Sequence, residues 1–183
     1  SNITGHSNTA VGVQALATNT CGCNNTAVGM CSLVSNISGG RNTAIGQNAL
    51  LGNNCGWQNT SSGYNSLKCN TTGYDNTASG YGAMQYTTTS SYSTAMGWRA
   101  LHAQTTGALN TAVGTCTLMA NTTGHCNTAV GYKSLLSNTC GAANTAIGIE
   151  TLQDNTTGGS SVAMGYRAGY DNTTGTVVAI GAN

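Results

Sequence analysis

Four acidic side chains and three histidines are the groups of this sequence that could serve as acids, bases or metal ligands. No two of the acids are spaced for paired acid–base work, and the repeated aspartates of a calcium-binding solenoid are missing. We therefore predict a protein that is not an enzyme, with no catalytic residue, no metal site and no cofactor. The seven residues are Asp75, Glu150, Asp154 and Asp171, with His6, His102 and His125.

Cysteine is the most abundant reactive residue type. The Cys21-Gly22-Cys23 motif has neither the spacing nor the second pair of a zinc site. An even number of cysteines in an extracellular protein is compatible with disulfides. Three alternatives stay open: small half-buried substitutes for Thr or Ser, disulfides between chains, and isolated disulfides within the chain. The candidates are Cys21, Cys23, Cys31, Cys55, Cys69, Cys116, Cys126 and Cys140.

Asparagine followed two residues later by Ser or Thr recurs along the chain, which is the pattern for N-glycosylation. Such a column would coat one face with glycans. The alternative is that Asn-x-Thr serves as turn chemistry and as a ladder of side-chain amides. The candidate sites are Asn2, Asn24, Asn36, Asn59, Asn70, Asn121, Asn155 and Asn172.

All these residues belong to one repeat that runs through the sequence. The triplet Asn-Thr-Ala recurs at multiples of 17 residues, as at Asn110, Asn127 and Asn144. The consensus is N-T-A-[VI]-G-x-x-[AS]-L-x-x-N-T-T-G-x-x, and we number its positions 1 to 17 from the first Asn. Nine full units cover residues 8–160, a 16-residue unit covers 161–176, and partial units cover 1–7 and 177–183. Residues 1–183 are thus predicted to be a single repeat array.

Glycine marks two positions of the unit. Position 5 is Gly in every repeat, and position 15 is Gly in all but one, where Ser90 stands. A fixed Gly indicates a positive φ or a close approach of the backbone. Two such sites per unit predict two turns per rung, with short strands between them.

The apolar residues define the predicted core. Position 4 is mostly Val, Ile or Met and position 9 is mostly Leu, as in Val130 and Leu135, while Ala is common at positions 3 and 8. We expect positions 4 and 9 to point inward. Position 2 has the parity of position 4, so its threonines, such as Thr128, are expected to point inward as well.

These features predict an all-β fold, a parallel β-solenoid or β-roll of 17-residue rungs. With strands about 4.8 Å apart, the rod is on the order of 50 Å long, and Asn at positions 1 and 12 would form ladders. One Val and one Leu per rung contribute only roughly 3–6 kcal/mol. We therefore expect copies of the chain to associate as a trimer or an end-to-end filament. Both ends of the sequence stop within a unit, which favours continuation.

Low charge excludes several functions. Charged residues make up 5% of the chain and the net charge is +1, against roughly 25% charged residues in a typical domain. Five basic residues cannot form a nucleic-acid-binding surface. No apolar run approaches the roughly 18 residues of a membrane-spanning helix.

The unit beginning Asn127-Thr128-Ala129-Val130-Gly131 resembles the N-T-A-[VI]-G-Y-x-A-L repeats of phage and large-virus tail-fibre proteins and of bacterial surface proteins. It is also similar, more distantly, to the head repeats of trimeric autotransporter adhesins. The resemblance covers the whole chain. It implies a left-handed trimeric β-roll or related solenoid, displayed outside a cell or on a virion surface.

The leading functional hypothesis is therefore a structural subunit of an extracellular or virion-surface fibre or filament. A second hypothesis is an adhesin or receptor-binding fibre head, in which Trp57, Trp98 and the tyrosines of positions 6 and 16 would stack on cell-surface glycans. A third is an ice-binding β-solenoid, which requires a flat and regular threonine array. The threonines of position 14 form part of such a column, at Thr72, Thr89, Thr106, Thr123 and Thr157.

The repeat is weakest in its middle. Ser62 and Ser79 replace the apolar residue of position 4 on successive units, and residues 86–90 lack the usual Asn and Gly. We predict that this region is locally irregular or contacts another subunit.

Overall fold

The computed structural model, which describes residues 2–182, is a parallel β-solenoid in which each repeat forms one rung. One three-residue strand per rung joins an 11-stranded sheet whose strands follow chain order. The predicted all-β solenoid is confirmed. The strands are β1 (Thr9–Val11), β2 (Thr26–Val28), β3 (Thr43–Ile45), β4 (Thr60–Ser62), β5 (Thr77–Ser79), β6 (Thr94–Met96), β7 (Thr111–Val113), β8 (Thr128–Val130), β9 (Thr145–Ile147), β10 (Val162–Met164) and β11 (Val178–Ile180).

Strand pairing follows the repeat residue for residue. Thr111 pairs with Thr128, and Thr128 pairs with Thr145, each 17 residues further along the chain. Between β10 and β11 the offset is 16 residues, because Met164 pairs with Ile180. The same positions of successive repeats therefore stack in columns parallel to the rod axis.

The rest of each rung is made of turns, and here the sequence-based expectation of several strands per rung is wrong. Within residues 2–182, a rung contains one strand only. Positions 7 and 9 have left-handed backbone conformations, with φ of 54° at Lys133 and 52° at Leu135. These angles cannot continue an extended strand. Neighbouring rungs are still joined there, since the backbone N–H of Leu135 donates to the carbonyl of Thr151 at 2.9 Å.

The core contains Leu at position 9 and Ala at position 3, with a small residue at position 8. Leu135 and Ala129 are fully buried. The prediction that position 4 points into the core is wrong, because Val130 is 37% and Ile45 is 46% exposed. Alternation along the three-residue strand places position 3 inside, so positions 2 and 4 both face outward. The interior beside the strand is narrow and accommodates alanine.

The two glycine positions serve different purposes. At position 5, Gly131 has a φ of 129°, and a Cβ there would overlap the carbonyl of Gly148. At position 15, Gly141 is needed for close approach alone, because a Cβ would overlap Asn138 and the carbonyl oxygen of Gly158. The glycine pattern of the sequence predicted positions 5 and 15 as special backbone sites. It did not predict the left-handed backbone of positions 7 and 9.

Two buried ladders of asparagine amides run along the rod. At position 12, Nδ2 of Asn138 donates to Oδ1 of Asn121 at 2.9 Å and to the carbonyl of Gly141 at 3.0 Å. At position 1, Nδ2 of Asn144 donates to Oδ1 of Asn127 at 3.1 Å. The predicted amide ladders are therefore present, and they satisfy polar groups that would be costly to bury alone.

The position-12 ladder is interrupted in the middle of the rod. Thr87 and Gln104 stand where two asparagines would be, and within residues 2–182 the buried atoms Asn70 Oδ1 and Thr87 Oγ1 have no hydrogen-bond partner. Gln104 instead bonds sideways: its Nε2 donates to Ser90 Oγ at 2.8 Å, and its Oε1 accepts from Asn110 Nδ2 at 2.9 Å.

The backbone of this region keeps the pattern of the other rungs. β4 and β5 pair in register, with Ser62 opposite Ser79. The irregularity predicted from the sequence therefore takes the form of a rearranged side-chain network, while the sheet continues through it.

Candidate functional site

The outer side of the sheet is the most regular surface of the protein. It consists of the outward side chains of positions 2 and 4 on β1 to β11, and we call it the strand face. Position 2 is threonine on nine successive rungs, and no strand in the described chain contains a charged residue. The threonines are Thr9, Thr26, Thr43, Thr60, Thr77, Thr94, Thr111, Thr128 and Thr145. The sequence-based expectation that they point inward is wrong, because each is exposed or half-exposed.

Position 4 adds a parallel apolar column to the strand face. Its members remain open to solvent along the rod, with 57% of Val11, 48% of Met96 and 42% of Met164 exposed. The column is interrupted only by Ser62 and Ser79 on β4 and β5. Exposed apolar side chains aligned in this way indicate a candidate interaction surface.

The hydroxyls of the strand face differ from the other threonine hydroxyls of the rod. At position 13, Thr122 Oγ1 donates to the carbonyl of Thr139 at 3.0 Å, and Thr139 Oγ1 donates to the carbonyl of Thr156 at 3.0 Å. Residues 2–182 provide no such partner for the nine threonines of position 2. These nine hydroxyls are therefore free to bond to whatever contacts the strand face.

A second exposed surface follows the strand face beyond the position-5 glycine. We call it the aromatic edge, and it consists of the large side chains of position 6: Val13, Met30, Tyr64, Tyr81, Trp98, Tyr132, Ile149 and Tyr166. Three of its rings stack along the rod, with 5.2 Å between the ring centres of Tyr64 and Tyr81 and 6.3 Å between those of Tyr81 and Trp98. The rings lie face to face along the rod, with interplanar angles of 17° and 16°. Because sugars stack on ring faces, this arrangement reduces the ring area that a glycan could contact at these three residues.

Position 7 carries three of the five basic side chains, next to the aromatic edge. Arg99 lies over the ring of Trp98 at 4.5 Å, and Lys133 lies over Tyr132 at 5.1 Å. Arg167 is paired with Glu150, with 2.7 Å between Nε and Oε2, and this carboxylate raises the pKa of the guanidinium. The cations are therefore held at the edge and leave the strand face uncharged.

Most of the candidate glycosylation sites lie inside the rod. Five of the asparagines are fully buried, and their amides bond in the two ladders, which favours the ladder interpretation of the Asn-x-Thr pattern. The buried five are Asn36, Asn59, Asn70, Asn121 and Asn155. Asn2 and Asn24 are exposed and Asn172 is half-buried.

All eight cysteines are free thiols. Cys21, Cys55, Cys126 and Cys140 are exposed, Cys23, Cys31 and Cys69 are half-buried, and Cys116 is buried. Burial raises the pKa of the Cys116 thiol, and the neighbouring cations Lys133 and Arg99 oppose that shift. Disulfides between chains stay open for the four exposed thiols.

Within residues 2–182, no three His, Cys, Asp or Glu side chains lie close enough together to hold a metal ion. The same residues contain no helix that is long and apolar enough to cross a membrane.

The fold and surface together define the class of protein: a β-solenoid repeat protein whose strands carry no charged side chain in the described chain. Comparison with protein-family models, with curated proteins and with solved structures finds no significant match. The functional argument therefore depends on the chain's own geometry.

Proposed function

We propose that this chain is a structural subunit of an extracellular or virion-surface fibre, and that it acts as a rigid rod without catalytic activity. The observation that carries the proposal is the bonding between rungs. Each rung is joined to the next by parallel strand pairing and by backbone bonds through its turns, and two buried amide columns add side-chain bonds between most rungs. Such a one-dimensional array transmits stiffness along its axis. The resemblance to tail-fibre and surface-protein repeats supports the same function.

Copies of the chain would associate along the aromatic edge. Its tyrosines, tryptophan and methionine are the residue types enriched at the centres of protein interfaces. Tyr81 and Trp98 remain 45% and 43% exposed, although aromatic side chains of this size gain most from burial. A trimer around a common axis and a filament both provide that burial.

Light scattering and electron microscopy of the purified chain test this proposal. We expect a mass above that of the 18.4 kDa chain, seen as short separate rods for a trimer or as long threads for a filament. A monomer at every concentration tested would reject assembly.

Two serine substitutions locate the contact. Trp98→Ser removes a ring from the aromatic edge, and Trp57→Ser is the matched control, since both tryptophans are 43% exposed and only Trp98 is at position 6. We expect Trp98→Ser to weaken association at least about tenfold, which corresponds to 1.4 kcal/mol. Equal effects of the two substitutions would place the contact elsewhere.

A further inference from the structure

The strand face is a two-dimensional lattice of small side chains. Along the rod its rows repeat at about 4.8 Å, and across each strand positions 2 and 4 are separated by about 6.6 Å, twice the rise per residue. The registers from β1 to β9 keep threonine opposite threonine without a shift. The threonine column is therefore regular over nine rungs, and the position-4 column keeps the same spacing but has serine at Ser62 and Ser79.

The side chains of this lattice are rigid as well as regular. Threonine, valine and isoleucine are branched at Cβ, which leaves χ1 few alternatives in a strand. Seven of the eleven residues at position 4 are Val or Ile, namely Val11, Val28, Ile45, Val113, Val130, Ile147 and Ile180. Binding a crystalline surface therefore costs little side-chain entropy.

The chemistry of the strand face matches ordered water better than a protein partner. Methyl groups restrict the orientation of the water beside them, and free threonine hydroxyls can anchor that water by hydrogen bonds. The row spacing is close to the repeat of water rows on a face of an ice crystal. Charged side chains would disturb such water, and the strands of residues 2–182 contain none.

A second copy of the chain is the competing occupant, and the residue types separate the two surfaces. Protein interfaces are enriched in aromatic residues, methionine and arginine. Five of the ten aromatic residues are at position 6 and three of the five basic residues are at position 7, on and beside the aromatic edge, and the strands of the described chain contain neither type. The strand face itself holds mainly threonine and branched aliphatic residues, with Met96 and Met164 as its two methionines. Ser62 and Ser79 leave a notch that a packed interface would have to fill, whereas two hydroxyls at these places are compatible with bound water.

We propose that the strand face binds ice crystals, with the threonines of position 2 and the aliphatic residues of position 4 as the contact. The proposal uses the rod as a scaffold but does not depend on how copies assemble, provided that the strand face stays open. A fibre that exposes this face would attach to ice or limit its growth.

The test measures thermal hysteresis and ice-crystal shape for three full-length proteins at equal concentration. Thr128→Arg places a long charged side chain in the strand face. Ser137→Arg is the control with the same change of charge, at a partly exposed position 11 of the same rung, where the next rung carries Asp154. Circular dichroism of the three proteins checks that the solenoid is retained, and light scattering gives their masses.

We expect the unmodified protein and Ser137→Arg to shape ice crystals equally, and Thr128→Arg to lose most of the hysteresis. Unshaped crystals with the unmodified protein would overturn the proposal, and so would an equal loss in both variants. An assembly that Thr128→Arg dissociates, without hysteresis in any of the proteins, would show that a second copy covers the strand face. That result would reject ice binding and would not contradict the proposed function as a structural rod.

Discussion

Thr87 and Ser90 occupy, in one rung, the two positions where other rungs pair an asparagine with a glycine. In those rungs a Cβ on the position-15 glycine would overlap the asparagine amide, as at Gly141 and Asn138. The shorter Thr87 removes that overlap, so Ser90 is tolerated, but the Oδ1 of Asn70 loses its donor. The two replacements are therefore coupled, because Ser90 is incompatible with the usual asparagine of position 12.

This coupling predicts the outcome of a double-mutant cycle. Thr87→Asn alone should destabilise the rod, since the new amide meets the Cβ of Ser90. Adding Ser90→Gly should recover that loss, because the overlap disappears and Asn70 Oδ1 regains a hydrogen bond, although Gln104 Nε2 loses its bond to Ser90 Oγ. Urea denaturation of the four proteins gives the interaction energy.

The reverse exchange in a regular rung is the control. Gly141→Ser alone should destabilise strongly, and adding Asn138→Thr should recover part of the loss. Additive effects in both rungs would contradict the coupling.

Sequence reasoning predicted the architecture correctly because a 17-residue period with fixed glycines leaves few alternatives. It misplaced the face of the strand because it took the larger apolar residue, Val130, as the buried one. With one three-residue strand per rung, alternation alone cannot distinguish inside from outside, and here the small Ala129 faces the narrow interior. The same wrong assignment predicted that the threonines of position 2 point inward, so the strand face was not predicted as an exposed surface.

The position of the leucine column was predicted, but its backbone was not. Leu135 has a φ of 52° and is fully buried, although such a conformation is unfavourable for a residue with a Cβ. The residue type, leucine, does not predict this left-handed conformation. It follows from the stacking, because the backbone N–H of Leu135 must reach the next rung while its side chain turns into the core.

The corrected core predicts unequal effects of two alanine substitutions in one rung. Leu135→Ala should lower the free energy of unfolding by about 2–5 kcal/mol, because it leaves a cavity at a fully buried site. Val130→Ala should change it by within about 0.5 kcal/mol, since this side chain is already 37% exposed in the single chain. Urea denaturation at protein concentrations low enough to prevent association measures both. Equal losses of unfolding free energy in the two variants would show that Val130 is part of the core.

Two glycines with positive φ should respond in opposite ways. Gly131→Ala should cost at least about 2 kcal/mol, because alanine is strained at a φ of 129° and its Cβ overlaps the next rung. Gly82 has a φ of 61°, and the same position holds Asn48 and Asn65 in other rungs.

Gly82→Asn should therefore be neutral or stabilise the rod by up to about 1 kcal/mol, because it restricts the unfolded chain. The nearest neighbours of its new Cβ are ends of flexible or rotatable side chains, Gln85 Oε1 at 3.2 Å and His102 Nδ1 at 3.3 Å. Thermal unfolding compares the two variants directly. A loss with Gly82→Asn as large as that with Gly131→Ala would contradict the distinction between the two positions.

The thiols should react in an order set by burial and charge state. After full reduction, alkylation at pH 8 should modify the four exposed cysteines first and Cys116 last, because Cys116 is 8% exposed and burial raises its thiol pKa. A raised pKa leaves a smaller thiolate fraction of Cys116 at this pH, so its reaction should accelerate further as the pH is raised above 8. Mass spectrometry of tryptic peptides follows each site, and the urea-unfolded chain is the control, in which Cys116 should lose its delay. Early modification of Cys116 in the folded protein would show that position 7 of this rung opens to solvent.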